Sequence, residues 1–388
     1  MKKILIVNNN LHIGGVQKAL VNLLWSIRDQ YDITLLLFAP VGGYMADIPP
    51  EIKVVPVRSH YRFLGMTGKD ATTPAEKLGR AFYAGITRLI GRKYAISLMA
   101  LGQKKLSGYD VAVSYLHNGG DKAFYGGCND FVLRHVKAEK KIAFLHCDYR
   151  LCGADTAENA RSYACFDRIA ACSRGCAESF LSADPTLADR VRVVYNCHRT
   201  DRLLQDAREA EINLPQDRIN LVTVARLGAE KAVPRAIDAL AMLEGKSFRY
   251  HYYIIGDGAQ RSQLEKRISD LNLADKVTLL GAMGNPYGYI RACDFLLIPS
   301  VSEAAPMVIG EAARLGTPIL TTRTSSAEEM VTGPGIGWVC DNSTQGLAEG
   351  LEMLLGSPES VKEKKEFLAG CKPEDGEALE GFLRLLEY

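Results

Sequence analysis

Short apolar runs alternate along this chain with stretches whose apolar residues recur at helical spacing, the pattern of strands and helices taken in turn. The first run, Ile4 to Val7, gives way to asparagines and glycines and then to a helix over about 17–27, with Ala19, Leu20, Leu23, Leu24 and Ile27 on one face. Further strands are predicted at 33–38, 54–57, 111–116, 141–145, 169–172 and 191–195. From Cys197 to Ile219 the pattern turns charged and irregular, which predicts a linker and divides the chain into domains at 1–200 and 201–375. Beyond the linker, strands at 220–225, 250–255, 277–280, 295–298 and 318–322 alternate with helices at 233–243, 261–271, 287–292 and 307–315. Such alternation predicts α/β domains built on doubly wound parallel sheets.

In such sheets, ligands meet the loops at the carboxyl ends of the strands. The stretch Ser302-Glu303-Ala304-Ala305-Pro306-Met307-Val308-Ile309-Gly310-Glu311 occupies one of these loops, with seven residues separating its two glutamates. Pro306 suits a first helical position, and the first free amides, near Met307 and Val308, would face a phosphate. Glu303 would reach the far end of a ligand, and Glu311 would take two ribose hydroxyls. A solvated loop carboxylate and a helix-surface charge fit the same spacing. The segment 224–231 adds Arg226, able to grip phosphate through two donors, and Lys231, a point charge; solvated loop cations fit these too. Gly256-Asp257-Gly258 reads as a tight turn on the same edge.

In the first half, Gly14-Gly15 would admit a ligand close to the backbone or form a turn, and lacks the G-x-G-x-x-G spacing of dinucleotide folds. His146 follows an apolar run and belongs at a strand's carboxyl end, in a structural or a ligand-facing role; Asn196 is a weaker case.

Composition narrows the classes. A length of 388 residues suits two domains, and 47% hydrophobic with 24% charged residues is ordinary for a soluble protein. A net charge of +2 argues against nucleic acid as a partner. The ten cysteines show no C-x-x-C zinc spacing, and no histidine pair or acid cluster suggests a metal; a reduced cytosol is the simplest setting. The amino terminus is too short in apolar residues for a signal peptide, and no run is long enough to span a bilayer. Between Lys77 and Lys105 stand seven basic residues and no acid, interleaved with Phe82, Tyr83, Ile86, Leu89, Ile90, Tyr94 and Leu98. This predicts a long amphipathic helix, either lying on an anionic membrane or packing its apolar side on the core.

Taken together, Gly14-Gly15, Arg226…Lys231, Gly256-Asp257-Gly258, Val277…Gly281 and Glu303…Pro306-Met307-Val308…Glu311 resemble the retaining family 4 glycosyltransferases. Phe144-Leu145-His146-Cys147-Asp148 and Asn285-Pro286-Tyr287 look most like the bacterial enzymes of capsule, exopolysaccharide and lipopolysaccharide synthesis. The resemblance implies the GT-B fold: two Rossmann-like domains facing across a cleft, an acceptor-binding domain at 1–200 and a nucleotide-sugar-binding domain at 201–375. A final helix, 376–388, would pack back on the first. It implies transfer of a sugar from a nucleotide diphosphate sugar, a UDP-sugar above all, to a saccharide or lipid-linked acceptor. Neither metal nor cofactor is implied, and the setting is cytoplasmic or peripheral on the inner membrane face.

The catalytic set carried over is Glu303, His146, Arg226 and Lys231. Gly14, Gly15, Gly281, Met283, Pro306, Met307, Val308 and Glu311 would bind the nucleotide and sugar. Two positions depart from the family pattern: Glu-Gly-Phe-Pro is Glu303-Ala304-Ala305-Pro306, and the glycine after the lysine is Ala232. A nucleotide-sugar epimerase of similar fold and a non-catalytic subunit that binds a partner enzyme are the competing readings.

Overall fold

The computed structural model describes residues 1–371 and 376–387, so the expected domain end at 375 and Tyr388 lie outside them. The chain divides into two units, Met1–Cys197 with the terminal helix, and a second that begins at His198.

The first unit runs β1 (Lys3–Asn8), α1 (Gly15–Ile27), β2 (Asp32–Leu37), β3 (Lys53–Pro56), α2 (Arg62–Gly65), α3 (Pro74–Leu89), α4 (Arg92–Met99) and β4 (Leu106–Ser114). It continues α5 (Cys128–His135), β5 (Val136–Leu145), α6 (Ala157–Tyr163), β6 (Arg168–Ala171), α7 (Arg174–Ala183) and β7 (Val191–Val193). The second unit runs α8 (Thr200–Glu209), β8 (Ile219–Val224), α9 (Val233–Ala241), β9 (Tyr250–Ile255), α10 (Arg261–Asp270), β10 (Val277–Gly281) and α11 (Tyr287–Ala292). It ends with β11 (Phe295–Ile298), α12 (Met307–Arg314), β12 (Ile319–Thr322), β13 (Gly337–Cys340), α13 (Thr344–Leu355) and α14 (Pro358–Gly370). The terminal helix α15 (Gly376–Glu387) buries Ala378, Phe382, Leu385 and Leu386 in the core of the first unit.

Both sheets are parallel. The first has the order β3-β2-β1-β4-β5-β6-β7 and the second β10-β9-β8-β11-β12-β13. Such strands are covered on both faces, which explains why they read as unbroken apolar runs. In the second sheet Leu221, Ile254, Leu297 and Leu320 pack under α9, α10 and α13, while Val222, Ile255, Leu296 and Ile319 pack under α8, α11, α12 and α14. Successive side chains thus feed opposite layers. The strand order reverses between β1 and β4 and between β8 and β11, which makes two switch points where exiting loops splay apart and leave a crevice.

Three sequence expectations are corrected. The stretch read as a linker folds in part as α8, whose Leu203 and Ala207 are buried. β5 begins at Val136, earlier than its apolar run, because Val136, Ala138, Lys140 and Lys141 already pair with β4, and the charged residues among them break the apolar pattern. The basic segment 77–105 is two helices, broken at Gly91, whose φ of 113° is left-handed. Its apolar side is largely exposed: of α3, Tyr83 and Thr87 alone are buried.

Candidate functional site

The loops leaving β8 and β11 flank the switch point of the second sheet. Lys231, in the turn after β8, donates from Nζ to Glu303 Oε1 at 2.6 Å, and Ser300 Oγ donates to the same oxygen at 2.7 Å. The Glu303 backbone is held as well, its carbonyl accepting from Ser325 Oγ at 3.0 Å. The two loops are joined a second time, Val301 N–H donating to the Glu230 carbonyl at 2.9 Å. The Lys231 and Glu303 side chains are 24% and 10% exposed, so their charges meet away from most of the solvent.

Arg226 lies on the same edge but outside this pair, donating to Glu230 Oε1 at 2.5 Å. Burial pushes the Glu230 carboxyl up, but backbone bonding and the Arg226 guanidinium outweigh it and hold it below its usual range. The Arg226 side chain is 75% exposed, and an exposed pair of this kind is worth about 0–1 kcal/mol, so an incoming anion can displace it.

Behind Glu303 the chain enters α12. Pro306 is the N-cap, with φ −66° and ψ 123°, and Met307 takes the first helical position expected for the proline. The extended ψ explains the shift: Pro306 leads into the helix without yet turning with it. Glu311, the fifth residue of α12, is 4% exposed, which sets aside its reading as a helix-surface charge. Val308 is half-buried and Met307 buried at the same helix start.

Gly281 ends β10 two strands from β8, with φ 78° and a shifted register against Ile255. Met283 follows it, half-buried against the core beneath α11 and α12. Gly256, φ 143°, brings its loop so near β8 that a Cβ there would stand 1.8 Å from the Ala225 carbonyl oxygen. That contact is structural. Ala232, in the place where the resemblance sets a glycine, has φ 47° in the left-handed region.

In the first unit Gly14 is the N-cap of α1 with an extended φ of −179°, and Gly15 begins the helix, so neither glycine is required by a left-handed turn. His146 follows β5, its ring stacked on Phe144 at 5.5 Å and beside Tyr115 at 4.8 Å. Burial, with the nearby His117 adding to it, lowers its pKa to about 3, so the imidazole is neutral at physiological pH. Its Nε2 is buried without a hydrogen-bond partner. His117, three residues past β4, is 8% exposed, and burial lowers its pKa to about 4.

Sequence reasoning passed over Ser300, Glu230 and His117. Each stands within a few residues of a strand's carboxyl end, and that position was the signal available. Two units, each a doubly wound parallel sheet with polar side chains gathered at strand exits, define an α/β protein of the two-domain Rossmann-like class.

Comparison bears out the fold over the whole chain. The HepE protein of Anabaena, solved in complex with UDP, superposes with a TM-score of 0.67 at 18% identity, covering 100% of both chains. Residues 205–367, all within the second unit, match the family model "Glycosyl transferases group 1". The lipopolysaccharide core biosynthesis glycosyltransferase LpsE of Rhizobium meliloti is 26% identical over 166 residues, 42% of this chain and 47% of LpsE. The GDP-mannose-dependent alpha-(1-6)-phosphatidylinositol dimannoside mannosyltransferase of Mycobacterium tuberculosis is 30% identical over 141 residues, 36% of each chain. The chain thus spans less than half the length of these curated relatives.

Proposed function

We propose that the chain is a retaining, family 4 glycosyltransferase that moves a hexosyl group from a nucleotide diphosphate sugar, a UDP-sugar, to a saccharide or lipid-linked saccharide in bacterial surface polysaccharide synthesis. The observation that carries the reading is the Lys231–Glu303 pair, anchored by Ser300, at the switch point of the unit that matches the group 1 model and at the entrance to α12. A carboxylate held this way is fixed before substrate arrives, which is the condition for a charged group to act without reorganising.

In this reading the diphosphate lies against the start of α12, where amides near Met307 and Val308 meet it, with Pro306 shaping the entrance. Lys231 and Arg226 take up the charge that grows on the leaving diphosphate, Arg226 by letting go of Glu230. Glu311 binds the ribose hydroxyls, and the base rests on the segment of Gly281 and Met283. Glu303 holds hydroxyls of the donor sugar. Gly14, Gly15 and His146 serve the same chemistry from the first unit, which takes the acceptor; His146 acts as a neutral hydrogen-bonding group. The acceptor oxygen bonds to the anomeric carbon on the face the diphosphate leaves, the carbon–oxygen bond to diphosphate breaks, and diphosphate receives the acceptor proton. The nucleotide sugar is a co-substrate, and the reading calls for no cofactor. The chain works in the cytoplasm, at the inner membrane face.

The test is incubation with a panel of UDP-sugars and saccharide acceptors, following released UDP and the anomeric configuration of the product by NMR. Transfer with retention is expected. An inverted product would overturn retention, and conversion of free sugar nucleotide to its epimer would identify an epimerase. A folded chain that neither transfers nor hydrolyses any donor would be a non-catalytic subunit.

A further inference from the structure

Of the fifteen large apolar side chains exposed among the described residues, seven fall between residues 78 and 101. They lie on α3, α4 and the turns that follow these helices. On α3, Leu78, Phe82 and Leu89 stand at i, i+4 and i+11, one stripe of the helix, and Ile90 follows at its end. On α4, Tyr94 and Leu98 are spaced i, i+4, with Leu101 just beyond. Leu89 is 83% exposed and Leu78 73%.

The unit holds both helices by their other sides. Tyr83 packs on Phe63 and on His60, with ring centroids 5.5 Å away in each case. Arg92, 1% exposed, donates to Asp130 at 2.7 Å, and its backbone N–H donates to the Asp121 carbonyl at 2.7 Å. Ala95, Ile96 and Met99 fill the rest of the buried side of α4. The apolar stripe is therefore what remains after each helix has been seated.

The charge that flanks the stripe is predominantly basic. Lys77, Arg88, Lys93, Lys104 and Lys105 are exposed, and none forms an ion pair among the described residues. Of the acids near it, Glu76 closes the capping box of α3 with Thr73, Asp130 and Glu158 face Arg92, and Asp121 alone stands exposed beside the start of α4.

We propose that this face docks on an anionic lipid surface, the apolar stripe entering the headgroup boundary and the lysines and Arg88 meeting lipid phosphates. The charge decides the occupant, because a second copy of the chain would bring like charges together. Neither helix spans: no described helix is long and apolar enough to cross a membrane. The proposal deepens the reading of an enzyme at the membrane and rests on that reading for its purpose. It is tested without donor or acceptor, so its failure is distinct from a failure of sugar transfer.

The experiment is co-sedimentation of the full chain with phosphatidylcholine vesicles, with and without phosphatidylglycerol. Partition to the anionic vesicles is expected, falling with added salt, and little to the neutral ones. Each basic residue near such a surface contributes about fivefold in partition, so Lys77→Glu/Lys93→Glu should lose roughly 25-fold or more. Leu89→Ser/Ile90→Ser should lose roughly tenfold, with an unchanged thermal midpoint because both side chains are exposed. No partition to anionic vesicles, or equal partition of the variants, would overturn the proposal. So would a dimer in size-exclusion chromatography that Leu89→Ser/Ile90→Ser dissolves, since the face would then join two copies.

Discussion

Removing Lys231 exposes how firmly Glu303 is fixed. The carboxylate accepts from Lys231 at 2.6 Å and Ser300 at 2.7 Å, and the two charged side chains are 24% and 10% exposed. An exposed pair would be worth about 0–1 kcal/mol, and breaking a fully buried one costs about 3–5 kcal/mol. This pair lies between, and a charge-assisted hydrogen bond of this burial is worth about 2 kcal/mol. In a double-mutant cycle, Lys231→Ala and Glu303→Ala should therefore couple by about 2 kcal/mol.

The chain has two tryptophans, Trp25 in the first unit and Trp338 in the second, packed against the second unit's core. In a Trp25→Phe background, urea unfolding followed by fluorescence reads the second unit alone. With a slope of about 2 kcal/mol per molar urea, Lys231→Ala lowers the midpoint by about 1 M. A coupling under about 0.5 kcal/mol, with both single variants folded, would show that the pair does not pre-form the site.

Glu311→Ala should weaken UDP binding about tenfold to a hundredfold by calorimetry, whereas Glu303→Ala should leave it within about twofold and abolish transfer. Ala232→Gly should stabilise the second unit by about 1 kcal/mol in the same urea assay, because it relieves a left-handed alanine at φ 47°. His117 and His146 titrate at about 4 and about 3 when folded, below the ordinary 6.5, so the folded form favours their neutral state. Their contribution is complete above pH 6.5 and is lost as pH falls toward those values, about 2 kcal/mol from each by pH 5. Unfolding followed by Trp25 should show that loss in the first unit, and His117→Gln/His146→Gln should flatten it.

The second sheet was legible because each buried parallel strand keeps a continuous apolar run, and strand exits locate Arg226, Lys231 and Glu303 from spacing alone. β13 escaped notice because Gly337–Cys340 is short and half-buried, with neither a run nor an alternation. The basic segment misled for a physical reason. Its periodicity marks an apolar face but not what covers it, and the seat of α3 depends on Phe63 and His60, distant partners that no local window contains. Ser300 was hidden likewise, since a serine before a glutamate carries no signal until the chain bends its hydroxyl onto the carboxylate. The departure at Ala232 acquired its meaning from the backbone, whose left-handed turn is the conformation a glycine would hold without strain.

Nucleotide binding by the second unit is the centre of the account. Its most direct measurement is the Trp338 unfolding midpoint of the Trp25→Phe chain with UDP, GDP, ADP and their sugars. A ligand present at a hundred times its dissociation constant stabilises the folded unit by about 2.7 kcal/mol. Such a shift is expected with UDP and its sugars, much reduced in Glu311→Ala. No shift with any nucleotide in a folded sample, or an equal shift in Glu311→Ala, would contradict it.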